Sequence, residues 1–186
     1  LICLPLALLD RDALRTLTPA DWWQAARLSL VGNFLYYLAL AAAIQRAGNP
    51  LVSAIIGTLP VVIALASNRR NARRDGALPA SRLAPSLLAM LLGIACVNHT
   101  ELAQLQGDAL GRYVEGGLIA LLALACWTWY PIRNADWLRA HADRPPRAWA
   151  TAQGLVSLPM SLAGLLLLGL VQRLGLPGIP ADFVLP

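Results

Sequence analysis

The chain has 186 residues, of which 58% are hydrophobic and 13% charged, with a mean hydropathy of +0.58; a water-soluble core of this size cannot absorb that excess of apolar side chains. The net charge of +5 comes from arginine alone, and the arginines sit in short hydrophilic breaks between apolar runs. That placement suits orientation in a membrane rather than phosphate binding, and with no zinc-finger, RRM or helix-turn-helix pattern it argues against nucleic acid as a partner.

A spanning helix needs roughly twenty mostly apolar residues to cross about 30 Å of hydrocarbon. An arginine at the bilayer centre costs about 2.5 to 3.5 kcal/mol on insertion scales, so stretches free of Asp, Glu, Arg and Lys mark the spans. Leu1 to Leu9 reads as the tail of a span cut by the chain start, which lacks a methionine and lies inside an apolar run; the chain therefore reads as a fragment. Five charge-free spans follow: Leu28 to Gln45, Ala47 to Asn68, Leu83 to Thr100, Gly116 to Ile132, and Ala148 to Gln172. The multi-span, all-α membrane bundle this predicts has the lipid bilayer as its solvent.

In the first full span, Asn33, Tyr36 and Tyr37 stand at i, i+3 and i+4 and share one helix face near mid-membrane. Two readings stay open: interhelical hydrogen bonding, which membrane bundles use widely, and a cavity in which Asn33 hydrogen-bonds a solute between flat tyrosine walls. The next connection, "RAGNP" at Arg46 to Pro50, predicts a tight helical hairpin whose second helix begins at Pro50. That second helix carries "SAIIGTLP", with Ser53, Gly57 and Pro60 at i, i+4 and i+7 and Thr58 alongside. Pro60 takes away the helical donor for the Ile56 carbonyl and predicts a kink, a hinge in one reading and an ordinary membrane proline in the other.

Arg69, Arg70, Arg73 and Arg74 close this span. On one set of alternating sides, the breaks at 10–27, 69–82 and 133–147 hold twelve arginines, and the breaks on the other side hold three, which predicts that the arginine-rich loops are cytoplasmic. Further along, His99 and Glu101 lie in "NHTE" with no third metal ligand close in sequence. Glu115 abuts the Gly116 span at its outer end, as an interfacial charge or a proton-coupling group. In "CWTWYPIRNADWLR", Trp129 reads as part of an interfacial aromatic belt, whereas Trp127, Tyr130 and Asn134 at i, i+3 and i+7 form a face that can line a cavity. Ala150, Gly154, Ser157, Ser161 and Gly164 form a small-residue stripe read as packing surface.

Cys3, Cys96 and Cys126 are scattered through apolar segments and read as small hydrophobes, not as disulfide or metal partners. P-loop, HExxH and GxSxG motifs are missing from the sequence, so neither a cofactor nor an enzyme activity is expected. "DGALPASR" begins like a phosphatidyltransferase signature but carries Pro79 and Ala80 where Ala-Arg is required. "PADW" at Pro19 to Trp22 and "PADF" at Pro180 to Phe183 are a faint echo, five spans apart and on opposite sides, of the kind an inverted repeat gives.

The stretch "NFLYYLALAAAIQRAGNPLVSAIIGTLPVVIALASNRR", with "GGLIALLALACWTWYPIR" after it, resembles the EamA-type drug/metabolite transporters, nearest to the bacterial branch of aromatic amino acid exporters. The resemblance implies a ten-helix fold of two inverted five-helix repeats without an ATPase. Residues 1–100 would then hold the end of helix two through helix five, and 113–186 the first two helices of the second repeat; the remaining helices would lie outside the chain. It also implies export of a small amphipathic solute, such as an amino acid, across the bacterial inner membrane. The family's cavity helices map onto Asn33, Tyr36, Tyr37, Thr58, Pro60, Trp127 and Tyr130. The rival expectations are a membrane-embedded lipid-modifying enzyme, which requires facing ionisable groups inside spans, and a non-transporting truncated scaffold.

Overall fold

A computed structural model describes residues 3–75, 80–102 and 108–173, and every regular element among them is helical. In chain order these are α1 (Cys3–Leu9), α2 (Arg11–Leu14), α3 (Pro19–Ser29), a π-helical turn (Leu30–Leu35), α4 (Tyr36–Gly57), α5 (Leu59–Asp75), α6 (Ala80–Leu102), α7 (Asp108–Ala140) and α8 (Pro146–Arg173). Each of the five expected spans falls on helix. Two stretches, Pro19–Arg70 and Ala109–Ala140, are long and apolar enough to cross a membrane, and Ala84–Cys96 is a shorter apolar helix. Leu118, Leu121 and Leu122 on α7, Leu162, Leu165 and Leu166 on α8, and Leu88, Leu91 and Leu92 on α6 are all exposed. Leucine faces of this kind mark a surface that lipid or other protein covers.

The described chain forms two compact units. The first joins residues 3–30 to 143–173, and in it α1, α2 and α3 each pack on α8. Thr18 starts α3 with a capping box: its hydroxyl accepts from the Asp21 N–H, the Asp21 carboxylate accepts from the Thr18 N–H, and Pro19 follows at the first helical position. Trp149, Ala25, Leu28 and Ala152 fill the interior. Within this unit the small-residue stripe of α8 is not the packed face, because Ala150 and Ser161 are exposed; burial runs instead through Ala148, Trp149, Thr151, Ala152 and Gln153.

The second unit, residues 31–142, is built on α7. Although α4 is helical over most of Tyr36–Gly57, Gly48 at φ 79° and ψ 166° breaks it in a region open to glycine. The chain reverses there. Up to residue 47 it runs antiparallel to α7, with Tyr36 against Trp127 and Ala47 against Gly116; beyond it the chain runs parallel, with Leu51 near Gly117 and Arg70 paired with Asp136. The hairpin expected from "RAGNP" is therefore present.

Glycine sets the closeness of these helices. A Cβ on Gly116 would stand 2.5 Å from the Ala47 Cβ, a separation that no side chain tolerates. Ala43, Ala47, Ala120 and Ala123 continue the same seam of small residues, as is common where membrane helices pack by dispersion alone. The expected proline break is one residue wide: α4 ends at Gly57, Thr58 caps it, and α5 begins at Leu59 with Pro60 in its first turn. The Thr58 hydroxyl and N–H both donate to the Ile55 carbonyl, at 2.7 and 3.1 Å, and so close the last turn before the break.

Candidate functional site

Around the middle of α7 the side chains of two helices form a continuous aromatic ladder. Trp127 and Tyr130, i and i+3 on α7, stack with centroids 5.6 Å apart; Tyr36 lies tilted on Trp127 at 4.6 Å; and Tyr37 meets Tyr36 edge-on at 5.0 Å. These separations lie in the range where aromatic pairs attract beyond their area of contact. Tyr36 is buried, Trp127 and Tyr130 are half-buried, and Tyr37 is 59% exposed, so the ladder runs from the interior of the unit to its surface.

Backbone features hold the rings in place. Gly32 lies under Tyr130, where an added Cβ would come within 2.4 Å of the ring, so only glycine lets the phenol rest on the chain at that point. Gly32 sits in the π-turn Leu30–Leu35, and so does Asn33. Asn33 on that turn is half-buried, Tyr36 is buried and Tyr37 is exposed. The Asn33 amide and the Tyr36 hydroxyl have no hydrogen-bond partner among the described residues, and the Thr128 hydroxyl, next to Trp127, is buried without one. π-turns and unpaired polar groups at such depth recur where membrane helices meet a ligand or bend.

The seven expected site residues thus divide. Tyr36, Tyr37, Trp127 and Tyr130 come together, with Asn33 on the adjoining turn. Thr58 is occupied with the Ile55 carbonyl and Pro60 is exposed, so these two shape the hairpin's second arm. That arm still reaches the ladder through Ile56, which packs against the cluster of Tyr36, Ala123 and Cys126. A second proline, Pro131 in α7, takes away the i→i−4 donor for the Trp127 carbonyl, as Pro60 does for Ile56. Simple subtraction of four along "CWTWYP" would have found it.

Other candidates resolve as follows. Ser53 is exposed and donates to Asn49 Oδ1 at 3.1 Å. Glu115 accepts from Arg46 Nε at 3.0 Å, with both side chains partly exposed. Trp129 is half-buried, His99 is exposed, Cys126 is a buried free thiol and Cys96 an exposed one. The side chains of Glu101 and Cys3, and the "PADF" at 180–183, lie outside the described residues. Sequence reasoning passed over Asp10 and Asp21, which prove to be buried. Asp10 accepts from Arg147 Nε at 3.1 Å and Thr151 Oγ1 at 3.0 Å, and Asp21 pairs with Arg144.

Over 167 residues, or 89% of its length, the chain is 49% identical to a curated protein named inner membrane protein YtfF, from Escherichia coli strain K12. The chain spans about half the length of that relative, 52% of it. No family model matches the chain, and no solved structure matches it. Taken with the exposed leucine faces and the long apolar helices, the likeness makes this a helical membrane protein.

Proposed function

We propose that the chain is part of an EamA-type secondary transporter in the bacterial inner membrane, one that exports a small amphipathic solute such as an amino acid by alternating access. The observation that carries this reading is the ladder of Tyr37, Tyr36, Trp127 and Tyr130 between an apolar helical hairpin and α7, with the Asn33 amide and Tyr36 hydroxyl unpaired beside it. Flat rings bind the apolar part of a solute, and a few polar groups fix its orientation. The break at Thr58 and Pro60 supplies a flexible point in the second arm, of the kind transporters use as a hinge. The relative's printed name supports the membrane, and the twelve-to-three arginine asymmetry supports cytoplasmic placement of the arginine-rich loops.

A lipid-modifying enzyme would need facing ionisable groups within its spans. The buried or paired carboxylates Asp10, Asp21, Glu115 and Asp136 each meet an arginine near a helix end, where they serve structure.

The test uses the complete protein in proteoliposomes and uptake of radiolabelled amino acids, beginning with aromatic ones. Tyr37→Ala should abolish transport while leaving the unfolding midpoint within a few degrees of the parent, because the Tyr37 ring is mostly exposed. Trp127→Ala should abolish transport with a larger stability loss. Uptake at the parental rate in both variants would remove the ladder from the solute path.

A further inference from the structure

The arginine-rich end of the α5–α7 pair carries a second arrangement that solute transport does not use. Arg70, near the end of α5, pairs with Asp136 Oδ2 on α7 at 2.5 Å, and Arg139 approaches the other oxygen, Oδ1, at 3.8 Å. One carboxylate therefore serves two guanidinium groups from two helices, and both arginines keep much of their surface exposed. Arg69 and Arg133 are exposed at the same end, so among the described side chains four arginines stand there against the carboxylate of Asp136.

The depth of this cluster is fixed by the opposite end of α7. Glu115, which meets Arg46, lies twenty-one residues before Asp136 on α7. At about 1.5 Å per residue this is roughly 32 Å, the thickness of a hydrocarbon core. Half-buried Trp129 lies one turn before exposed Arg133, the order of aromatic ring and then cation that marks the headgroup layer. The cluster is thus at headgroup depth, its described side chains are short of negative charge, and it presents planar guanidinium forks, whose spacing matches two oxygens of a phosphate.

We infer that Arg70 and Arg139, oriented by Asp136, form with the neighbouring Arg133 a binding site for the phosphodiester headgroup of an anionic phospholipid. Asp136 holds Arg70 and Arg139 in place and does not neutralise them both, so a single phosphodiester charge completes the cluster. Arg69, without an ion-pair partner among the described residues, adds to the field. An arginine that only orients the chain in the membrane needs charge, not geometry, and this difference makes the site testable.

The experiment is a thermal-unfolding series on the complete protein in a neutral detergent, with added phosphatidylglycerol, phosphatidylcholine, glycerol phosphate or inorganic phosphate. Phosphatidylglycerol should raise the midpoint by several degrees and phosphatidylcholine should not. Arg133→Gln/Arg139→Gln should lose most of that rise. Arg139→Lys, which keeps the charge and removes the fork, should lose part of it. Arg11→Gln/Arg15→Gln removes the same charge from exposed positions elsewhere and should keep the full rise. Equal stabilisation by the two lipids, an undiminished rise in the Arg133/Arg139 variant, or an equal loss in the Arg11/Arg15 variant would each overturn the site. A rise given as fully by inorganic phosphate or glycerol phosphate would overturn the lipid as its ligand.

Discussion

The two compact units treat buried polar groups in opposite ways. In the unit of α1, α2, α3 and α8 every such group among the described residues is engaged: Asp10 with Arg147 and Thr151, Asp21 with Arg144 and the α3 cap, and the Ser29 hydroxyl with the Gln153 carbonyl at 3.1 Å. In the unit built on α7 the ion pairs stay at the two ends, while along the middle the buried Thr128 hydroxyl has no partner among the described residues; the Asn33 amide and Tyr36 hydroxyl, which are not fully buried, have none there either. A buried polar group left without a partner costs free energy, so a fold keeps one where something else supplies the missing contact. The comparison separates polar residues tied into the structure from those left without a partner among the described residues, a distinction that burial alone does not make.

The largest expected effect breaks the satisfied unit. Asp21→Ala removes the capping partner of Thr18 and leaves Arg144 unpaired at a site where Asp21 is 4% exposed. Removing one partner of a buried ion pair costs about 3 to 5 kcal/mol. Unfolding in a detergent titration should show a loss of that order, and Asp21→Asn, which keeps an acceptor for the cap, should lose less. A loss below about 1 kcal/mol for Asp21→Ala would mean that the pair is solvated and the contrast between the units overdrawn.

A smaller effect, in the other unit, tests the ladder through its backbone support. Gly32→Ala puts a methyl into the Tyr130 ring, and overpacking of this kind costs about 1 to 3 kcal/mol, less if the ring swings aside. Because Tyr130 stacks on Trp127, transport should fall much further than stability does. Equal, small losses in both would show that the ring position is irrelevant to the solute.

Gly32 also marks the limit of what the sequence discloses. The hairpin at Gly48 and the break before Pro60 were legible because their causes are local: a glycine that tolerates φ of 79°, and a proline without an N–H. Trp127 and Tyr130 were legible as a pair because helical spacing puts i and i+3 together. The seat of Tyr130 on Gly32, the π-turn that carries Gly32 and Asn33, and the pairing of Asp10 with Arg147 depend on residues far apart in the chain or on a helical defect without a composition signal. Asp10 in particular reads as the first residue of a polar break, and only a partner 137 positions away turns it into a buried structural group.

The smallest expected effect concerns the ends of the α7 unit, where charge is paired in partial contact with solvent. Glu115→Gln removes the Arg46 pair, whose members are 38% and 56% exposed, and such pairs contribute about 0 to 1 kcal/mol, less at high salt. Packing, by contrast, is independent of salt: Gly116 beside it admits the Ala47 backbone so closely that the hairpin stays seated without the ion pair. Glu115→Gln should therefore lower the unfolding midpoint by a degree or two in dilute buffer and by nothing measurable in molar salt. Gly116→Val should lower it by several degrees in both. If the salt dependence ran the other way, with the valine variant rescued by salt and the glutamine variant not, charge rather than close packing would be what fastens the hairpin to α7.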